Sequence, residues 1–282
     1  SVLAPLRVGP VGPGEVRGTV DQPMISVRLL GSDGTQLDSR TIAAPGVAPM
    51  VLQDTLAEQV ATFLRQRLGR EISLRERQRG TSSKRAWFFL QRSDEARGQA
   101  RTLLQLADTA GAFRLLLYAD SLARSAQAED PAWPEPRLQE GWLAVQRLEL
   151  TRDSAQRALA TAKGLQAATS SLALSPNLAE ALELRGVIGA IGADAGGRRD
   201  SARLEQAIAD LREGATSQNL HQARALSRLS RVLLGAGRFQ EARLAALQAW
   251  ERDAFLDQAD RVLLDLYQTS LYLQQFPEAR RW

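Results

Sequence analysis

From residue 119 onward one spacing of residues keeps returning. Ala119, Ala123, Ala126 and Pro131 stand at relative positions 0, 4, 7 and 12. Gly164, Ala168, Ser171 and Pro176 repeat the spacing 45 residues later. Ala207, Leu211, Gly214 and Asn219 repeat it without the proline, and Ala242, Ala246, Ala249 and Ala254 repeat it 35 residues beyond the third copy. Positions 0, 4 and 7 fall on one side of an α-helix, so small residues there let a second helix pack close. A proline five residues later ends the helix that carries them. A chain built this way stacks helical hairpins.

The segment between copies supplies the rest of the unit. Leu182 and Gly186 precede the third copy, and Leu226, Leu229 and Ser230 precede the fourth. Gly235–Ala242 (GAGRFQEA) reads as a complete inter-helix turn, with a glycine stop, an aromatic wedge at Phe239 and a helix restart. Gln275-Phe276-Pro277-Glu278-Ala279 is a second such turn, its aromatic 37 residues on. These residues resemble the tetratricopeptide repeat (TPR), a 34-residue helix–turn–helix unit. The best copy spans about 223–254 and the match covers roughly 100–282, with longer helices near 82–108 and 153–174 and a Gly-rich insertion at Gly192–Gly197. The resemblance implies a solenoid that binds protein or peptide, and it leaves the ligand open.

Ahead of the repeats the chemistry differs. Pro5, Pro10, Pro13, Pro23, Pro45 and Pro49 are six of eleven prolines, which marks the first 49 residues as turn-rich. Glu15–Val20 and Met24–Leu30 read as strands; Ile25, Val27 and Leu29 alternate with Ser26 and Arg28. Gly31-Ser32-Asp33-Gly34 then offers a hairpin turn into Gln36–Ile42. Leu52, Leu56, Val60, Phe63, Leu64 and Leu68 predict a helix over Met50–Leu68, with Gly69 as its stop. Thr81-Ser82-Ser83 offers hydroxyl caps for the next helix. The expected fold class is therefore mainly α, a TPR-like α-solenoid over 81–282 whose last repeat is truncated, preceded by a small α+β subdomain over 1–80.

The order of parts carries a narrower likeness. Glu15–Val20 (EVRGTV), Ile25–Leu30 (ISVRLL), Asp33-Gly34, and Leu52-Gln53-Asp54 opening a helix together resemble a TolB-like amino-terminal subdomain. Such subdomains precede TPRs in bacterial signalling proteins, carboxy-terminal to membrane-anchored Ser/Thr kinase domains and also in cyclases and transcriptional regulators. The likeness implies an extracytoplasmic (periplasmic) sensor or scaffold region, with the kinase and any membrane anchor outside the chain. The sequence starts at Ser1 without methionine and ends at Trp282 in a helical pattern, as a piece of something longer would.

Charge and composition exclude several classes. There are 36 basic and 32 acidic residues, and only Lys84 and Lys163 are lysines. Residues 65–85 hold eight basic and two acidic groups, a local +6, so the remainder is slightly acidic and no chain-wide polyanion surface exists. Zero cysteines remove disulfides, thiol catalysis and thiolate metal sites. The longest uncharged run, Gly164 to Ala179, is 16 residues and polar-broken, too short to span a bilayer.

Nothing reads as an active site. His221, the single histidine, sits beside Asn219 at a helix start, where capping or exposure is the expected role. Glu180/Glu183 and Asp257/Asp260 look like solvated helical faces. Gly9–Gly18 has prolines where a phosphate loop needs amide donors, and Gly186, Gly189 and Gly192 look like packing positions. No cofactor or metal is expected, and the chain is expected not to be an enzyme.

Two places suit a partner. Arg224, Ser227, Arg228 and Arg231 fall at i, i+3, i+4 and i+7, the groove face of a TPR first helix. Arg261, Asp265 and Gln268 of the next first helix are candidates to join them, and Trp142 is either a groove anchor or core. Arginine forks suit carboxylates, so an acidic protein or peptide is the expected ligand; the competing reading is a solvated face with local ion pairs. The second place is the basic junction of Arg65, Arg67, Arg70, Arg75, Arg77, Arg79, Lys84 and Arg85. It reads as a solvated junction whose arginines pair with acidic faces of the repeats, as a contact for anionic lipid, or as a nucleic-acid contact helped by Trp87, Phe88 and Phe89. The nucleic-acid reading is the weakest in the residues themselves, because those aromatics lie in an apolar helical run that core packing explains. It nevertheless supplies the alternative function, a module of a transcriptional regulator.

Overall fold

The computed structural model describes residues 15–19, 22–30, 36–43, 49–194, 200–217, 221–255 and 258–282. The expected turn at 31–34, most of Gly9–Gly18, the insertion at 195–197, Asn219 and Asp257 lie outside them. The chain divides into two compact units, Ser1–Glu71 and Ile72–Trp282.

The first unit contains strands β1 (Glu15–Thr19), β2 (Gln22–Leu30) and β3 (Gln36–Ala43), antiparallel in the order β1-β2-β3. Ile25 pairs with Val16 on one side and Ile42 on the other, and the β2–β3 register shifts between Leu29 and Leu30.

Helix α1 runs from Pro49 to Arg79, and this corrects the expected stop at Gly69. Proline at the first helical position suits the start, since its missing N–H is not needed there. An interior glycine costs only about 1 kcal/mol relative to alanine. Glu71, Leu74, Arg75, Glu76 and Arg77 that follow are good helix formers and carry the helix on. Residues 65–79 of the basic junction are therefore helical. The division between the compact units falls inside α1, between Glu71 and Ile72.

The second unit is a run of helical hairpins. Its helices are α2 (Lys84–Gln105), α3 (Thr109–Glu129), α4 (Glu135–Leu150), α5 (Ser154–Leu174), α6 (Ala179–Ala193), α7 (Ser201–Gly214), α8 (Gln222–Gly235), α9 (Phe239–Arg252), α10 (Ala259–Tyr272) and the short α11 (Phe276–Ala279). The main pairings are α2 with α3, α4 with α5, α6 with α7, and α8 with α9. The first helices also touch in series, α2 with α4, α4 with α6, α6 with α8 and α8 with α10, so they form one continuous inner layer. This is the TPR-like α-solenoid expected from the repeat.

The small-residue signature falls on the second helix of each pair. Ala119, Ala123 and Ala126 on α3 are fully buried, as are Ala242, Ala246 and Ala249 on α9. Gly164, Ala168 and Ser171 on α5 and Ala207, Leu211 and Gly214 on α7 are buried too. Pro131 and Pro176 stand just beyond the ends of α3 and α5. Ser83 caps α2 by accepting from the Ala86 N–H at 3.1 Å. Gly237 takes φ +77° in the α8–α9 turn, and Arg238 N–H reaches back to the Leu233 carbonyl at 2.9 Å. Ala107 and Gln274 hold the same left-handed position (φ 61° and 57°) in the α2–α3 and α10–α11 turns without glycine. Phe239 wedges the turn by stacking on Tyr272, centroids 4.9 Å apart.

Candidate functional site

The inner layer encloses a groove of about 800 Å³. Arg97 and Arg101 come from α2, Trp142 and Glu149 from α4, Arg224, Arg228 and Arg231 from α8, and Asp260 and Arg261 from α10. The arginines of α2 and of α8 recur at three or four residues, so one helical face of each delivers them to the groove. Six arginines thus face two carboxylates across the opening.

The floor explains how so much like charge is held. Glu183 of α6 is fully buried and accepts from the Arg224 Nε at 2.8 and 3.0 Å; Arg228 lies 3.7 Å away. The Trp142 ring lies under both guanidiniums, 6.0 Å from Arg224 and 5.7 Å from Arg228, and adds cation–π attraction. Trp142 lines the groove and also packs against the largest core cluster. Compensation is incomplete towards α10. Burial, together with Arg228, pushes Arg231 down to about 10, and burial lowers Arg228 and Arg97 as well. Among the described residues nothing accepts a hydrogen bond from the buried Nε of Arg228 or Arg231.

Three expected groove residues are elsewhere. Ser227 and Asp265 are buried beneath the wall, where the serine hydroxyl donates to the Asp265 carboxylate at 2.8 Å and ties α8 to α10. Burial raises the Asp265 carboxyl despite that bond. Gln268, half-buried on α10, does not line the groove. Arg224, Arg228, Arg231, Arg261 and Trp142 do come together.

Arg97 and Arg101 escaped the sequence reading because α2 belongs to a poorly matching copy. Their i, i+4 spacing on a first helix was the available signal. Glu183 was misread. With Glu180 it looked like a solvated pair, yet it is the buried counter-ion of the groove. His221 holds the N-cap position of α8 without a side-chain cap bond and is not exposed: its Nε2 is 2.7 Å from Glu180 Oε1, both side chains about one-seventh exposed.

The basic junction does not converge. Along α1 the arginines at 65, 67, 70, 75, 77 and 79 are distributed around the helix at 3.6 residues per turn. Arg67 lies 3.8 Å from Asp38, Arg77 bonds Asp94 at 2.5 Å, and Arg85 lies 3.3 Å from Glu129. Arg65, Arg70, Arg75, Arg79 and Lys84 are exposed. Of the aromatics, Trp87 packs on Trp133 at 6.3 Å, but Phe88 is 56% exposed under Arg92, against the core role expected for it.

Among the described residues no group of three or more His, Cys, Asp and Glu could hold a metal, and no helix is long and apolar enough to cross a membrane. No model of a known protein family matches the chain, and no curated protein matches its sequence. Among solved structures it is similar to PilW, a widely conserved type IV pilus biogenesis factor, at 18% identity over 67% of this chain and 89% of that one, TM-score 0.44. A thermophilic TPR protein of Thermus thermophilus is similar at 15% identity over 64% and 99%, TM-score 0.44. MamA from Desulfovibrio magneticus RS-1 is similar at 15% identity over 67% and 96%, TM-score 0.35. At these scores the likeness goes no further than stacked helices, and it is the chain's own pairing of α2 with α3 through α8 with α9 that makes it a TPR-like solenoid.

Proposed function

We propose that this chain is a non-catalytic protein-interaction module whose concave groove holds an acidic segment of a partner protein. The observation that carries the reading is the arginine excess in the groove, six guanidiniums against Glu149 and Asp260 at its lip. With Glu183 and Asp265 beneath, two positive charges remain over, which suits a segment bearing at least two acidic side chains. The order of a strand unit followed by helical repeats supports placement in a bacterial signalling protein, of the kind in which a TolB-like subdomain precedes TPRs beside a Ser/Thr kinase. The nucleic-acid reading is not favoured, because the α1 arginines offer no common face.

The test is fluorescence anisotropy with a labelled peptide of alternating Asp and Gly. Arg231→Glu combined with Arg261→Glu is expected to weaken binding at least ~30-fold, about 2 kcal/mol, with helical circular dichroism preserved. Unchanged affinity in that folded variant would refute the groove. Tighter, steeply salt-dependent binding of a single-stranded oligonucleotide, lost on neutralising Arg75 and Arg79, would favour the alternative.

A further inference from the structure

The groove continues into a smaller pocket of about 240 Å³, with which it shares Arg97, Trp142 and Arg224. This pocket lies where α4, α6 and α8 begin, and those starts supply Glu135, Glu180 and His221. With Asp94 of α2, three carboxylates therefore meet at one end of a groove otherwise ruled by arginines. Two have partners. Asp94 takes Arg77 at 2.5 Å and Arg97 at 3.4 Å, and Glu180 takes His221. Glu135 is half-buried and, among the described residues, is in no ion pair.

We propose that filling the groove with an acidic segment is linked to a proton on Glu135: the ligand is held while this carboxyl is neutral and is released as it ionises. The inference rests on the groove being the ligand face. The groups facing Glu135 are Arg77 from α1, Asp94 and Arg97 from α2, Glu180 from α6, and His221 and Arg224 from α8. Ionised Glu135 would compete for Arg224 and Arg97, the guanidiniums that also line the groove. A bound acidic segment in turn makes that ionisation harder, because the two couplings are one free energy.

The electrostatics agree in direction. Burial, then the Glu180 carboxylate, push Glu135 up to about 8, against the pull of Arg77 and Arg224. Glu180 goes the other way: burial opposes its charge, but the His221 hydrogen bond and the nearby positive groups outweigh burial and lower it. Two neighbouring carboxyls are thus driven apart, one neutral and one charged near neutrality. The sign follows. Affinity is full below the Glu135 value and falls as pH rises through it, with a limiting slope of about tenfold per pH unit for one proton.

The experiment is the same labelled Asp–Gly peptide titrated from about pH 6.5 to about pH 9 at fixed ionic strength, a window that brackets the Glu135 value. The unmodified protein is expected to lose affinity by roughly fivefold or more across about pH 7.5–9. Glu135→Gln should abolish that slope, and His221→Gln should retain it. A flat profile in the unmodified protein, or a slope that survives in Glu135→Gln, overturns the linkage and leaves the groove standing. Failure of the peptide to bind at any pH overturns the groove and the linkage together.

Discussion

Replacing Gly186 with valine is expected to destabilise the helical unit by about 3 kcal/mol. Gly186 lies on α6 against α7, and a Cβ there would sit 2.6 Å from the Leu211 Cγ and 2.8 Å from the Ala207 carbonyl oxygen. A side chain can turn aside from such a contact, but a backbone carbonyl inside a helix cannot, so the two helices must separate. The opened seam lies in the largest core cluster, which includes Leu184, Ile188, Ile208 and Leu211. Removing glycine from a helix gains about 0.5 kcal/mol, too little to offset this. At roughly 2–4 °C per kcal/mol for a unit of this size, thermal unfolding should drop by about 8 °C. Gly98→Ala is the contrast. Gly98 is exposed on α2 with nothing within 4 Å of a new Cβ, so alanine should raise stability by up to about 1 kcal/mol. Equal stability of Gly186→Val and the unmodified protein, by chemical denaturation, would contradict the close approach of α6 and α7.

That contrast shows what kind of information the sequence held. Small residues at fixed spacing express a contact between helices, and the contact leaves a residue-level trace because only small side chains satisfy it. The α3, α5, α7 and α9 positions could therefore be read directly. The end of α1 could not. Gly69 has the composition of a stop, but a stop also needs the chain beyond it to leave the helix, and the strong helix formers after Gly69 keep it there. The groove was half legible for a related reason. The arginines of α8 share one helix and show as a stripe, whereas Arg97 joins them only through the stacking of α2, α4, α6 and α8. Charge signs are readable, but burial is not. Glu180 and Glu183 sit one turn apart like any solvated pair, and only the fold reveals that one is sealed under Arg224.

Glu183→Gln should therefore separate folding from binding. Glu183 is fully buried, while its partners Arg224 and Arg228 keep 27% and 31% of their side-chain surface exposed. Removing one member of a buried pair typically costs about 3–5 kcal/mol, because the remaining charge is left uncompensated. Water can still reach these two guanidiniums, so the loss should fall near the lower end of that range, about 3 kcal/mol. The groove itself gains one net positive charge, and Arg224 is released from Glu183 to meet a ligand. Affinity for the acidic peptide is then expected to rise by roughly fivefold, about 1 kcal/mol, while stability falls. Opposite movements in denaturant unfolding and in anisotropy would show that Glu183 restrains the groove's charge in exchange for fold stability. If both fall together, the Glu183 carboxylate acts chiefly by holding Arg224 and Arg228 in place over Trp142, and the charge excess alone does not set affinity. Arg224→Gln with Glu183→Gln tells the two apart. Removing both charges relieves the uncompensated guanidinium, so stability should recover part of the loss, and the peptide should bind less tightly than to Glu183→Gln alone.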